Sequence, residues 1–77
     1  MMYAFVMINV ETGAEENVLK QLKSLGFVEE AYISYGVYDL IVKVKADTME
    51  DLKESVTRKI RANNQVQSTV TLLMTGE

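Results

Sequence analysis

The stretch SYGVYDLIV, residues 34–42, brings a glycine, an aromatic hydroxyl and a carboxylate close together. A glycine such as Gly36 lets a ligand approach main-chain N–H groups, and a carboxylate such as Asp39 can pair with a ligand ammonium. Hydroxyl groups on a neighbouring strand could complete a polar lining. Thr69 and Thr71 suit that role, because residues two apart on a strand point to the same side.

The same stretch also has a purely structural interpretation. Gly36 would supply a positive φ in a hairpin turn at residues 36–37, Tyr38 would pack at its edge, and Asp39 would accept backbone hydrogen bonds that fix the turn. The two threonines would then reflect β-propensity alone. Residue types by themselves favour this interpretation and leave the binding interpretation open.

Composition excludes several classes of chemistry. The 77 residues contain neither cysteine nor histidine, so there is no disulfide, no thiolate nucleophile, no imidazole base and no imidazole metal ligand. Four carboxylates, Glu15, Glu16, Glu29 and Glu30, fall where a helix and a strand are expected to begin, and a solvated face is their default interpretation. We therefore predict no catalytic residue, no metal site and no cofactor.

Charge and hydropathy limit the partners. A net charge of −3 argues against a nucleic-acid surface, which would need clustered Lys and Arg. No apolar run approaches the roughly 20 residues of a membrane span, and the start MMYAFVMINVETG lacks a signal-peptide pattern. These features predict a cytoplasmic protein without direct nucleic-acid or membrane contact. The absence of proline and of linker-like segments predicts a single domain over residues 1–77.

Hydrophobic periodicity predicts the elements that position these residues. Strands are expected over 2–10, 27–35, 38–46 and 66–74, and helices over 13–25 and from about 49 to the Asn63-Asn64 pair. Thr12 and Glu15 have the spacing of a capping box for the first helix, and residues 47–50 give a capping signal for the second. The order β-α-β-β-α-β is typical of the α+β, ferredoxin-like arrangement, an antiparallel four-stranded sheet with both helices on one face.

The first strand is apolar on both sides, although helices would cover only one face of such a sheet. We expect Ala4, Val6 and Ile8 to face the helices, together with Leu40, Val42, Val44, Val70 and Leu72. The other face would carry Tyr3, Phe5, Met7, Ile41 and Leu73, interspersed with Thr69, Thr71 and Lys43. A contiguous apolar face of this kind predicts dimerisation through the sheets, the alternative being scattered surface exposure.

The whole chain resembles the effector-sensing domain of the Lrp/AsnC (feast/famine) transcription regulators, without their DNA-binding part. The resemblance rests on YAFVMINVETGAEENVL, VEEAYISYGVYDLIVKVKADTMEDL and VQSTVTLLM, with Gly36, Tyr38 and Asp39 forming G-x-Y-D and Thr69 and Thr71 forming T-x-T. Two turns depart from the family pattern. Residues 12–13 are Thr-Gly where the family usually has Pro-Gly, and residues 64–66 are Asn-Gln-Val where it has Pro-Gly-Val.

This resemblance implies a dimeric α/β barrel formed through the sheets, with dimers assembled into octameric or decameric rings. A free amino acid would bind between dimers, contacted by Ser34, Tyr35, Gly36, Tyr38 and Asp39 of the SYGVYD loop, with Thr69 and Thr71 nearby. Any effect on transcription would pass through a partner, by co-assembly with a full-length Lrp/AsnC regulator.

Two alternatives to the sensor remain open. One is a structural oligomerisation module that binds no small molecule. The other is a small dimeric α/β-barrel enzyme, which would have to rely on Asp39, Tyr38 and Lys43, and fold analogy is weak evidence for such chemistry. We therefore expect a protein that is not an enzyme.

Overall fold

The chain forms strands and helices in the order β-α-β-β-α-β in a computed structural model that describes residues 1–74. The elements are β1 (Met2–Val10), α1 (Glu15–Lys23), β2 (Val28–Ile33), β3 (Leu40–Ala46), α2 (Met49–Ser55), a π-helical segment (Val56–Arg61) and β4 (Val66–Met74). The strands pair antiparallel in the order β2-β3-β1-β4. The predicted ferredoxin-like fold is confirmed.

A tight turn, rather than the predicted capping box, starts α1. The Ala14 N–H donates to the Glu11 carbonyl at 2.9 Å, and Gly13 has a φ of +87°. This is a type II turn, in which glycine is favoured at the third position because it tolerates positive φ. Ala14 is the N-cap residue and no side chain caps the helix, so the predicted capping role of Thr12 is wrong.

The second helix begins as its sequence signal predicts. The Thr48 hydroxyl accepts the Asp51 N–H at 3.1 Å, which satisfies one of the orphan donors of the first turn. Helical structure continues from α2 into the π-helical segment, a change of hydrogen-bond pattern that the sequence did not predict. Hydrophobic spacing in the sequence predicts an apolar stripe of Met49, Leu52, Val56 and Ile60 along this helix. Leu52, Val56 and Ile60 are buried, whereas Met49 in the first turn is 37% exposed.

The core lies between the helices and one face of the sheet. Ala4, Val6 and Ile8 of β1 are fully buried there, and so are Leu40, Val42 and Val44 of β3. From the helices, Val18, Leu22, Leu52 and Ile60 complete this core. For β1 and β3, the predicted division into two faces is confirmed.

The face assignment of β4 is wrong. Pairing with β1 sets Thr69 opposite Ile8, Thr71 opposite Val6 and Leu73 opposite Ala4. Directly paired residues share a face of the sheet, so Thr69, Thr71 and Leu73 lie on the helix side. Val70 and Leu72, expected to face the helices, lie instead on the uncovered side.

Candidate functional site

The SYGVYD segment forms a loop, residues 34–39, between β2 and β3. Its ends are joined by a hydrogen bond from the Ser34 N–H to the Asp39 carbonyl at 2.8 Å. The Asp39 N–H donates to the Ile8 carbonyl at 3.0 Å, which ties the loop to the central strand β1. The loop is therefore anchored at its base.

The Asp39 carboxylate holds the end of β1. Its Oδ2 accepts the Val10 N–H at 2.9 Å, beside the register shift at Asn9 and Val10 where β1 and β4 are irregularly paired. The predicted acceptance of a backbone hydrogen bond is confirmed, although the donor belongs to β1 and not to the turn. Among residues 1–74, no group donates a hydrogen bond to Asp39 Oδ1.

Gly36 does not have the positive φ that a hairpin turn would need. Within the described chain, Gly13 is the one glycine with positive φ, so this part of the turn prediction is wrong. A Cβ added at Gly36 would meet no atom within 4 Å. Neither strain nor crowding within one chain therefore requires a glycine at this position.

A depression of about 400 Å³ separates the loop from the start of α1. Its lining residues are Glu15, Glu16, Ile33, Ser34, Tyr35, Gly36 and Asp39. We call this site the loop depression. It carries three carboxylates and no cationic side chain. Tyr38 belongs to the loop and is half-buried, but it does not line the depression.

Glu15 and Glu16 are the lining residues that the sequence interpretation missed, because they looked like a solvated helix start. The antiparallel topology could have revealed them. β1 and β3 are antiparallel, so the C-terminal end of β1 lies beside the N-terminal end of β3. The helix that follows β1 must therefore start beside the β2–β3 loop.

Thr69 and Thr71 lie elsewhere. They share a second depression of about 380 Å³ between β4 and the second helix. Leu52, Val56 and Leu73 give it apolar walls, Thr57 adds a third hydroxyl, and Lys53 and Arg61 contribute cations. We call it the β4 groove. It shares no lining residue with the loop depression, so one chain does not bring the two predicted parts of the site together.

The face of the sheet that no helix covers is apolar along β1 and β4. Tyr3, Phe5 and Met7 are half-buried there, and Val70 and Leu72 are 39% and 51% exposed. One row of this face, Tyr32, Ile41, Met7 and Val70, crosses all four strands. We call this surface the open face.

Charged side chains border the open face on β2 and β3. Glu29 forms ion pairs with Lys43 at 4.0 Å and with Lys45 at 3.4 Å, and the Lys43 ammonium lies 4.8 Å from the centre of the Tyr3 ring. The Glu30 carboxylate accepts the Tyr32 hydroxyl at 2.8 Å, and this hydrogen bond raises the pKa of Tyr32 above its ordinary value. The border is polar, whereas the β1–β4 half is not.

Residues 1–74 contain no cluster of three metal-ligating side chains. Over the same residues, no helix has the length and hydropathy needed to cross a membrane.

Comparison with known sequences identifies the chain's relatives. The family model described as the Lrp/AsnC ligand binding domain matches residues 3–77. Regulatory protein AsnC of Haemophilus influenzae is 38% identical over 58 residues, which represent 75% of this chain and 39% of that protein. The chain thus spans about two fifths of the length of this curated relative.

Two solved structures are matched over nearly their full length. The crystal structure of FFRP-DM1 has a TM-score of 0.95 at 41% identity, with 97% of this chain and 100% of that chain covered. Hypothetical protein PHS023 from Pyrococcus horikoshii has a TM-score of 0.94 at 42% identity, with 100% and 93% covered.

Proposed function

The chain belongs to the Lrp/AsnC ligand-binding domain family, and on that basis we propose that it is a regulatory module that senses a free amino acid. The amino acid binds in the loop depression. The observation that carries this proposal is the state of Asp39, whose carboxylate is fixed through Oδ2 while Oδ1 stays without a donor among the described residues.

The groups around the loop depression suit both ends of an amino acid. The ammonium pairs with Asp39, since a charge-assisted hydrogen bond to a carboxylate is strong. The N–H groups of Tyr35, Gly36 and Val37 donate to no other group of residues 1–74, so they remain available to the ligand carboxylate. With no Cβ, Gly36 leaves that backbone accessible.

Self-association is the second part of the proposal. Two copies pair through the open face, because a contiguous apolar surface of this kind is unusual on a monomer. Pairs then assemble into octameric or decameric rings, and the amino acid shifts that equilibrium. The effect reaches transcription through a partner, a full-length Lrp/AsnC regulator that co-assembles with this chain. Failure to recover any such regulator with the native protein would contradict this last step.

A structural oligomerisation module without a ligand is the second candidate. The open face favours this candidate, because an apolar surface of this kind would be buried by self-association whether or not the loop depression binds a ligand. We propose no enzymatic activity, because the named relative is a regulatory protein.

Thermal unfolding against a panel of free amino acids tests the proposal. A ligand that binds only the folded state, at 100 times its Kd, adds about 2.7 kcal/mol of stability. In a domain of this size, each kcal/mol raises Tm by roughly 4–8 °C. A selective rise for one or a few amino acids is expected. A flat panel from an oligomeric protein would favour the structural module.

Asp39→Asn is the matched control for this panel. An asparagine side-chain oxygen can still accept the Val10 N–H, so the end of β1 is retained while the negative charge is removed. We expect the variant to fold and to lose most of the ligand-induced rise in Tm. An undiminished rise in Asp39→Asn would remove Asp39 from the site.

A further inference from the structure

The charged side chains of the sheet all lie at one corner of the open face. The four strands contain four charged residues, which are Glu29, Glu30, Lys43 and Lys45. Strand pairing sets Lys43 opposite Phe5 and Lys45 opposite Tyr3, so both lysines share the face of these aromatic residues. We call the four charged residues the charged corner.

An irregularity in β2 brings both glutamates to this corner. Where β3 has the single residue Lys43, β2 has two residues, Glu29 and Glu30, between flanking pairs that lie on the helix side. Two residues opposite one form a β-bulge, which changes the direction of the side chains that it carries. Regular alternation would turn one glutamate towards the helices, whereas in the bulge both are exposed.

The two glutamates have different partners. The Glu30 carboxylate accepts the Tyr32 hydroxyl at 2.8 Å. The Glu29 carboxylate lies 4.0 Å from the Lys43 ammonium and 3.4 Å from the Lys45 ammonium. Among residues 1–74, no other acidic side chain lies within 4.0 Å of either ammonium. Glu29 therefore compensates both lysines.

Pairing of two open faces takes these ammonium groups out of water. The side chains of Lys43 and Lys45 are 26% and 38% exposed in the single chain, and the Lys43 ammonium lies 4.8 Å from the centre of the Tyr3 ring. A charge that is buried without a partner is costly, whereas a paired and hydrogen-bonded one is tolerated. The lysines can therefore be covered at low cost only while Glu29 holds them.

The charge balance of the corner suits a second copy of this chain. Two carboxylates and two ammonium groups cancel there, although the chain as a whole carries a net charge of −3. Two identical faces can thus meet without net repulsion between their corners, and like-charge contacts are a main obstacle to association.

We infer that Glu29 controls the pairing of the open face with a second copy, by holding Lys43 and Lys45 in a neutral set that can be desolvated. The inference rests on the self-association in the proposed function, and it does not depend on a ligand. In this account the bulge in β2 serves association, because it turns Glu29 towards the lysines of the open face.

A cycle of variants tests the inference through the dimer Kd, measured by sedimentation equilibrium. Glu29→Gln keeps the size of the side chain and leaves two ammonium groups uncompensated. The double variant Lys43→Met with Lys45→Met leaves the Glu29 carboxylate uncompensated. We expect each to raise the Kd about 30-fold or more, as truncating one partner of a buried charge pair does.

The variant that combines all three substitutions should pair about as well as the wild type or better. Replacing every member of a buried ionic set by uncharged groups is often neutral or stabilising, because no unpaired charge remains. Restored affinity in the combined variant is the result that an exposed, independent set of charges would not produce.

Glu54→Gln is the matched control for Glu29→Gln. It makes the same change of net charge on α2, where Glu54 pairs with Arg58 at 3.9 Å and both side chains are largely exposed. Exposed ion pairs contribute little, so its Kd should stay within about twofold of the wild type. Circular dichroism confirms that each variant is folded.

Three results would overturn the inference. If the wild type and Glu29→Gln paired equally well, the open face could still be the interface, but Glu29 would not control it. If the combined variant paired more weakly than either of its parents, the charges would act independently. A wild type that stays monomeric at millimolar concentration would also remove the proposed self-association. The thermal panel measures amino-acid binding separately.

Discussion

The two faces of the sheet are built from alternate residues of the same strands, but only one face is completed by its own chain. On the helix side, Val6 and Val42 are fully buried among aliphatic side chains. On the open face, Phe5 and Met7 are only half-buried, and Leu72 is 51% exposed. The first face accounts for the fold of the single chain, whereas the second stays partly exposed in it.

The 34–39 loop has one part that its own chain holds in place and another part that its own chain leaves exposed. The base of the 34–39 loop is held by hydrogen bonds to β1, whereas its tip and one Asp39 oxygen have no partner within the described chain. Exposed apolar side chains and unpaired polar atoms on a well-anchored scaffold are typical of binding sites, because the scaffold fixes their geometry before a partner binds. Substitutions on the buried helix side of the sheet should therefore change mainly the stability of the single chain. Substitutions on the open face and in the loop should change mainly association.

The largest loss of stability is expected from the helix side. Leu40→Ala removes a fully buried side chain and should lower the free energy of unfolding by about 2–5 kcal/mol. Leu72→Ala, on the open face, should cost less than about 1 kcal/mol in the monomer, since half of its surface is already exposed. Urea denaturation of dilute samples measures both. Equal losses would contradict the distinction between the faces.

Phe5→Lys should break the pairing of open faces while leaving the monomer folded. An unpaired ammonium in that interface would be costly to desolvate, and the dimer Kd should rise about 100-fold or more. Sedimentation equilibrium measures the Kd, and circular dichroism reports the fold. A dimer of undiminished affinity would mean that the open face is not the interface.

Replacing Asp39 should have a smaller effect on stability that depends on the substituent. Asp39→Ala leaves the part-buried Val10 N–H without its acceptor and should cost about 1–3 kcal/mol of unfolding free energy. Asp39→Asn keeps an acceptor oxygen and should cost clearly less. Chemical denaturation distinguishes them. If both variants had the unfolding free energy of the wild type, the hydrogen bond between Asp39 and Val10 would not contribute to stability.

The sequence predicted the fold and the faces of β1 and β3. In β3, Lys43 and Lys45 alternate with valine, whereas β1 is apolar on both sides and its larger residues Tyr3, Phe5 and Met7 all share one face. The sequence failed on β4, where valine, threonine and leucine make either face plausible, and where register depends on pairing with β1 near the shift at Asn9 and Val10. It placed Asp39 in the site but could not identify Val10 as its donor, since that contact joins residues 29 positions apart. It named Leu73 as an interface residue of the open face, and the register moves it to the β4 groove.

The smallest effect is expected at the turn before α1. The Thr12 N–H donates no hydrogen bond among residues 1–74, and the second position of a type II turn favours proline. Thr12→Pro should therefore stabilise the chain by about 0.4–1 kcal/mol, whereas Gly13→Ala should destabilise it, because alanine is strained at a φ of +87°. Thermal melts of the two variants should shift in opposite directions.

Hydrogen–deuterium exchange with and without each common amino acid tests most directly whether the loop depression is the effector site. The account predicts that one amino acid, or a few related ones, slows exchange of the backbone amides in residues 34–39, and that Asp39→Asn loses this protection. No protection of the loop by any amino acid, or protection confined to other segments, would contradict the assignment.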